Sequence, residues 1–330
     1  MRAPRFWWER PGAMAALLSP LAALYGSVAA RRLARPGAQV GIPVVCVGNP
    51  TVGGAGKTPA AVAIARMLIA AGERPMFLSR GYGGRLAGPV LVEAAHTAVQ
   101  VGDEPLLLAR VAPTIVAANR VAGARLAKDQ GASVVVMDDG FQNPALAKDL
   151  SILVIDGRRN LGNGRVIPAG PLRAPLKPQL DRAHALLVVG DASGAAPTPI
   201  AARGLPVFHA TLEPNQAAVA SLAGQRVLAF AGIGDPEKFF ASLAAAGIDA
   251  PIRRAFADHR RYTERDAREL IVDAAKNGLQ LLTTEKDIAR MRGDPHATEL
   301  ARTARMLPVT LTVTETEAFE RLVLGAVRRG

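Results

Sequence analysis

The stretch GNPTVGGAGKTP, residues 48–59, follows the apolar run IPVVCVGN (42–49) and leads into PAAVAIARMLIA (59–70). Strand, glycine-rich turn and helix, in that order, are the setting a phosphate-binding loop requires. Gly53, Gly54 and Gly56 let successive backbone N–H groups turn inward around an anion. Pro59 is tolerated in a first helical turn, where its missing N–H would be unpaired anyway. Lys57 is placed to reach the β- and γ-phosphates of a nucleotide, and the Thr58 hydroxyl to hold Mg²⁺. Thr51 stands where the strict G-x-x-x-x-G-K-[ST] pattern has glycine. The expected cradle runs through Thr51, Val52, Gly53, Gly54, Ala55, Gly56, Lys57 and Thr58.

Outward from the loop, apolar runs alternate with helical patterns. PMFLSRG (75–81), PTIVAANR (113–120), SVVVMDDG (133–140), LSILVIDG (150–157) and HALLVVGD (184–191) read as further strands. Continuous Val/Ile/Leu runs mark strands buried on both faces of a parallel sheet. Residues 59–71, 104–111 and 120–130 read as helices between them. The fold class is therefore α/β, a P-loop-type doubly wound, mostly parallel sheet, with ligands at the carboxyl ends of its strands. A second strand-helix series opens with RVLAFAGI (226–233), where Asp235-Pro236 signals a helix start, and continues with strands near 279–284 and 308–313. These features predict an N-terminal segment 1–36, a nucleotide-binding domain 37–205 and a smaller α/β lobe 206–330.

The chain has 330 residues, a formal charge of +12 and 49% hydrophobic residues, a composition suited to a globular protein with an ample core. That charge admits nucleic acid, an anionic membrane or an anionic substrate as partner. Only seven of the 40 basic residues are lysine, so part of the basicity can reflect genome composition. The single cysteine, Cys46, excludes an intramolecular disulfide framework and a zinc cluster, and reads as a small buried hydrophobe.

Both tryptophans, Trp7 and Trp8, lie beside Phe6 among Arg2, Arg5 and Arg10; residues 11–30 are uncharged, and Arg31, Arg32 and Arg35 follow. Pro11, Gly12, Pro20 and Gly26 interrupt the uncharged run. An interfacial helix fits, with aromatics at headgroup level and arginines toward anionic lipid; a single transmembrane anchor and an ordinary packed helix are the alternatives.

A phosphate loop needs a metal-binding carboxylate at the end of another strand, and both Asp138-Asp139 and Asp156 qualify. The adjacent pair is favoured, because two neighbouring carboxylates need a cation to offset their repulsion. In VGDEPLLLAR (101–110), Asp103 and Glu104 read as a helix cap and first turn, or as a carboxylate that positions an acceptor hydroxyl. Residues 157–180 carry Arg158, Arg159, Arg165, Arg173 and Lys177 with no acid. That loop suits phosphate recognition, Arg173 first and Arg120 second, or is simply a solvated basic loop. Tyr82 sits on a turn after a strand, where it can contact sugar or nucleotide.

Together, GNPTVGGAGKTP, LSRGYGG (78–84), GDEP (102–105), MDDGFQ (137–142), GPLR (170–173), FADH (256–259) and TTEKD (283–287) resemble the tetraacyldisaccharide 4'-kinase family, whose own pattern has threonine at position 51. The resemblance implies ATP and Mg²⁺, and a two-lobed enzyme that moves a γ-phosphate to the 4'-hydroxyl of a tetraacylated glucosamine disaccharide 1-phosphate. It also implies peripheral or monotopic attachment at the cytoplasmic face of the bacterial inner membrane, with a glycolipid substrate and no nucleic acid; it names no protein partner. Carried over by motif, Lys57, Asp103, His259 and Arg173 are catalytic, Asp103 as the base assisted by His259. Thr58, Glu104, Asp138 and Asp139 form the metal site, and Tyr82, Arg120, Gln142 and Arg173 contact substrate. A membrane-surface switch ATPase acting through protein partners is the alternative function, although its signature lysine would stand where the chain has Val52. A nucleic-acid-dependent ATPase fits the charge but not the apolar amino terminus or the missing recognition module.

Overall fold

The computed structural model describes residues 3–190 and 204–329. Arg2 and Asp191, the last residue of the strand expected at 184–191, lie outside the described residues. The apolar run before the phosphate loop is strand β1 (Val44–Gly48), buried along its whole length. Side-chain alternation sends Val45 and Val47 to one face and Val44 and Cys46 to the other, and both faces are covered. On the first face lie Ala61, Ile64 and Leu68 of the helix Lys57–Ala70, joined by Phe319 and Val323 of the C-terminal helix Thr316–Val327. On the second lie Met137, Leu153 and Ile155, with Ala124 and Ala127 of the helix Arg120–Asp129. Burial pushes the Cys46 thiol up to about 11, so it behaves as an inert hydrophobe.

The strands that follow are β2 (Pro75–Ser79), β3 (Val90–Leu91), β4 (Thr114–Val116), β5 (Val134–Asp138), β6 (Leu150–Asp156), β7 (Ala185–Val189) and β8 (Val207–Pro214). The chain then builds a second, four-stranded parallel sheet from β9 (Arg226–Ala231), β10 (Asp249–Ala255), β11 (Gln280–Thr284) and β12 (Arg305–Leu307), in the order β10-β9-β11-β12. It returns to the first sheet as β13 (Val309–Val313). That sheet has nine strands in the order β13-β8-β7-β6-β1-β5-β2-β4-β3, parallel except for β13 on β8 and β3 on β4. The chain passes from β5 across β1 to β6, so the winding reverses at β1 and opens a crevice beyond the carboxyl ends of these strands.

One expectation needs correction here. The strand near 308–313 was assigned to the smaller lobe, but β13 pairs with β8 in the large sheet and the helix Thr316–Val327 packs beneath β1. The smaller lobe is therefore an insertion between β8 and β13, not the whole of 206–330. Both tryptophan side chains are half-buried against the protein. Trp7 Nε1 donates to the Pro168 carbonyl at 3.0 Å, and the Arg159 guanidinium lies 4.9 Å from the centre of the Trp8 ring. The aromatic segment is docked on the basic loop 157–173.

Behind that segment, the helix Ala13–Leu33 runs unbroken through Pro20. Ala15, Ala22, Gly26 and Leu33 face the protein, and Gly26 is close enough to Pro175 that an added Cβ would sit 3.4 Å from its ring. Met14, Leu17, Leu21, Leu24, Tyr25 and Val28 line the opposite, exposed face. The helix is long and apolar enough to cross a membrane by length and composition alone.

Phe319 is fully buried and meets Phe208 of β8 edge-on, with centroids 5.0 Å apart. Phe319→Ala should destabilise the large lobe by about 3–5 kcal/mol in urea unfolding. A loss confined to the four-stranded lobe would contradict the placement of the C-terminal helix.

Candidate active site

The cradle is built by its neighbours as much as by its glycines. The N–H of Val52 donates to the Pro171 carbonyl at 2.9 Å, and Arg173 Nε donates to the Thr51 carbonyl at 3.1 Å. Thr51 is thus buried in an extended bridge to Leu172, a conformation that needs no glycine. Gly53 and Gly56 have φ of 114° and 92°, which do need it. A Cβ at Gly54 would meet nothing within 4 Å, so the loop fronts open space. Asn49 ties the loop across its base, its Nδ2 donating to the Gly53 carbonyl at 3.2 Å. Gln142, expected to touch substrate, donates from Nε2 to the Asn49 carbonyl at 2.8 Å and to Gln179 Oε1 at 3.1 Å. It braces the cradle while still bordering the cleft.

Lys57 and Thr58 open the helix at the mouth of the loop. Thr58 Oγ1 donates to Asp138 Oδ2 at 2.8 Å, while Asp138 Oδ1 is buried with no hydrogen-bond partner among the described residues. Burial, reinforced by Glu104 and Asp139, pushes the Asp138 carboxyl up to about 7. An orphaned carboxylate oxygen beside a threonine hydroxyl is a hard-oxygen set that fits Mg²⁺. The structure separates the expected aspartate pair. Asp139, at φ 53°, is gripped by both Arg173 nitrogens at 2.9 and 3.3 Å and lies 3.8 Å from Lys57. Burial alone would raise its pKa, but Lys57 and then Arg173 outweigh burial and lower it. The cation that offsets repulsion at Asp139 is therefore the protein's own. Glu104 is bound by Lys286 of the smaller lobe at 2.7 Å. Among the described residues no three carboxylate, histidine or cysteine side chains converge on one point.

Asp103 opens the helix Asp103–Leu108 and is buried. Its Oδ1 accepts from the Glu104 N–H at 3.0 Å, but the N-cap is Gly102 and no side chain caps this helix, so Asp103 is its first residue and not its cap. Its Oδ2 takes Arg290 Nη2 at 2.6 Å and lies 3.3 Å from His259 Nδ1. Burial opposes ionisation, but the His259 hydrogen bond and the charges of Lys286 and Arg290 hold the carboxyl well below its usual range. His259 adopts φ 55°, a left-handed conformation uncommon outside glycine and found where strain serves a site. The exposed Tyr82 ring meets it edge-on at 5.2 Å.

Arg120 lies apart from these groups. It is 3% exposed and folds back on the carbonyls of Ala117 and Ala118. Its Nε has no partner among the described residues, and burial beside Arg80 brings its pKa down to about 10. Arg158 and Arg159 both pair with Asp235 of the smaller lobe, and Lys238 reaches Asp156 at 2.6 Å. The basic loop thus answers the other lobe as well as the phosphate cradle. Asp156, the alternative metal carboxylate, is occupied by this pair.

All the expected site residues line or adjoin one cleft of about 2060 Å³ between the lobes. Sequence reasoning passed over Arg290 and the pairing of Lys286. Their signal was present: Lys286 and Arg290 are four residues apart, on one face of the helix Glu285–Met291, opposite the adjacent acids Asp103 and Glu104.

Residues 14–328 match the tetraacyldisaccharide-1-P 4'-kinase family. The tetraacyldisaccharide 4'-kinase of Rhodopseudomonas palustris (strain BisB18) is 54% identical over 327 residues, covering 98% of this chain and 95% of the relative. That of Nitrobacter winogradskyi is 51% identical over 332 residues, covering 100% and 98%. Among solved structures, apo-form LpxK from Aquifex aeolicus, in complex with ATP, is similar with a TM-score of 0.76 at 26% identity, covering 95% of this chain and 99% of that one. With its phosphate cradle, strand-end carboxylates and interlobe cleft in the expected places, the chain belongs to the tetraacyldisaccharide-1-P 4'-kinase family.

Proposed function

We infer that this chain moves the γ-phosphate of ATP to the 4'-hydroxyl of a tetraacylated glucosamine disaccharide 1-phosphate, giving the 4'-phosphorylated lipid A precursor. The observation that carries the reading is the meeting, in one cleft, of an open phosphate loop with His259, which stands 3.3 Å from the buried Asp103 behind it. Lys57 and the loop N–H groups hold the phosphates. Thr58 and Asp138 would hold Mg²⁺, which would supply positive charge against the negative charge developing on the phosphates. Asp139, fixed by Arg173, keeps Lys57 aimed along the loop, and Arg173 adds positive charge beside the transferred group. As the new O–P bond forms and the bridging bond to the β-phosphate breaks, the hydroxyl proton passes to the Asp103–His259 pair. Tyr82 and Arg120 border the cleft, Tyr82 exposed and Arg120 almost wholly buried.

The acceptor is a lipid, and the exposed apolar face of the helix Ala13–Leu33 lies in the interface of the membrane that holds it. ATP is cytoplasmic, which places the enzyme on the cytoplasmic face of the inner membrane, peripheral or monotopic. The protein-partner ATPase reading gains nothing from the cleft, since an acid–histidine pair facing it has no use without an acceptor.

Mixing enzyme, γ-labelled ATP and the disaccharide 1-phosphate lipid in detergent should label the glycolipid, and ATP turnover should need that acceptor. Label that never leaves ATP except as free phosphate refutes the reading. Lys57→Ala should lower kcat about 10²–10³-fold, as loss of one transition-state contact does, with the circular dichroism spectrum unchanged. Mg²⁺ requires ionised Asp138, whose carboxyl stands near 7 in the metal-free protein. The Mg²⁺ concentration for half-maximal activity should therefore fall as pH rises toward about 7 and be flat above it. Ionising this group in the folded, metal-free chain is unfavourable, so its contribution to stability declines as pH climbs from the unfolded value of 3.8 through about 7. Asp138→Asn should remove both trends. Leu17→Glu with Leu24→Glu, at positions 74% and 66% exposed, should abolish co-sedimentation with anionic vesicles yet leave activity on detergent-dispersed acceptor within about twofold.

A further inference from the structure

Arg290 belongs to none of the motifs that mark the site, yet its side chain is only 5% exposed and touches the proposed proton-accepting pair. It donates to one oxygen of Asp103, from Nη2 at 2.6 Å and Nε at 3.2 Å. The other oxygen is turned to the Glu104 N–H of the same helix. This orientation brings Oδ2 to 3.3 Å from His259 Nδ1.

What fixes Arg290 lies entirely in the smaller lobe. Its Nη1 donates to the Gly232 carbonyl at 2.9 Å and to Asp287 Oδ1 at 3.0 Å. Asp287 is fully buried and saturated with donors: the Gly232 N–H, Tyr262 OH at 2.8 Å, Thr284 Oγ1 at 2.7 Å and Thr283 Oγ1 at 3.3 Å. A guanidinium is planar and holds its donors in a rigid fork, so a carboxylate fixed at one edge sets the direction of the other.

We propose that Arg290 is a positioning residue for phosphoryl transfer: seated on Asp287 in the smaller lobe, it sets the rotamer of Asp103 in the large lobe and so aims Asp103 Oδ2 at His259. The proposal rests on the reading of Asp103 and His259 given under the proposed function. A buried ion pair is by itself weak evidence for stability, and a bridge that only clamps the lobes would need no such aim. The two roles separate in kinetics. Misplacing a reacting group by about an ångström costs about 10²-fold in rate without touching nucleotide affinity, whereas loosening the lobes disturbs ATP binding.

The test is a double-mutant cycle on the full chain, read as label transfer to the disaccharide 1-phosphate lipid. Arg290→Met should lower kcat about 10²-fold with KM for ATP unchanged, and should lower it no further on an Asp103→Asn background. Arg290→Lys keeps the charge but loses the fork, and should recover only part of the rate. Guanidinium ion added to Arg290→Ala should raise its kcat, and should do nothing for Asp103→Asn. If Arg290→Met does not fold, the same cycle is run with Arg290→Lys. Wild-type kcat in Arg290→Lys, a raised KM for ATP with kcat intact, or an equal fall on the Asp103→Asn background each overturns the proposal. A wild-type chain that labels no glycolipid overturns the proposed function along with it, whereas an active wild type with an additive cycle overturns the role of Arg290 alone.

Discussion

The site depends on a seam of opposite charges that is largely withdrawn from water between the two lobes. Asp103, Glu104 and Asp156 of the large lobe meet Arg290, Lys286 and Lys238 of the smaller one at 2.6, 2.7 and 2.6 Å. Asp235 of the smaller lobe answers Arg158 and Arg159 in the opposite sense. Taking such charges from water is costly, and removing one partner leaves the other stranded. Their first effect is therefore on geometry. Each pair fixes where the smaller lobe stands over the phosphate cradle, and with it where His259 meets Asp103.

The large sheet supplies what the seam positions. β1 is buried on both faces because helices cover both, and the reversal of winding beside it leaves a crevice into which Thr58 and Asp138 project from adjacent elements. The smaller lobe is threaded into the large one between β8 and β13, so both of its ends are tied to that sheet. Such a double attachment limits how the lobe can lie to a narrower set than a single linker would.

How much of this was legible in the sequence depended on the distance over which each interaction acts. The phosphate loop was plain because strand, glycines and helix are neighbours in the chain. The strand-end carboxylates were legible as two candidates, Asp138 and Asp156, because each buried apolar run stops where a charge begins. The different surroundings of Asp138 and Asp139 were not, since Asp139 is held by Arg173, 34 residues beyond it. β13 looked like another strand of the smaller lobe because an antiparallel return to a distant sheet leaves no local mark. The contacts that Trp7 and Trp8 make within the protein were not legible, because their partners, Pro168 and Arg159, lie on a loop more than a hundred residues away. Arg290 was missed because its meaning lies in two carboxylates, one near and one across the cleft.

Gly54 lies at the crown of the cradle, with no atom within 4 Å of where a side chain would begin and with its N–H 3.3 Å from the position of a Cβ on Gly234 of the other lobe. Nothing in the folded chain reserves that space; only an occupant could. The fold and the ligand thus impose separate demands on neighbouring glycines, Gly53 and Gly56 for the backbone they allow and Gly54 for the room it leaves. A survey of mutations scored by thermal stability would pass over Gly54 as a tolerant position, and only a measurement made with nucleotide in place would register it.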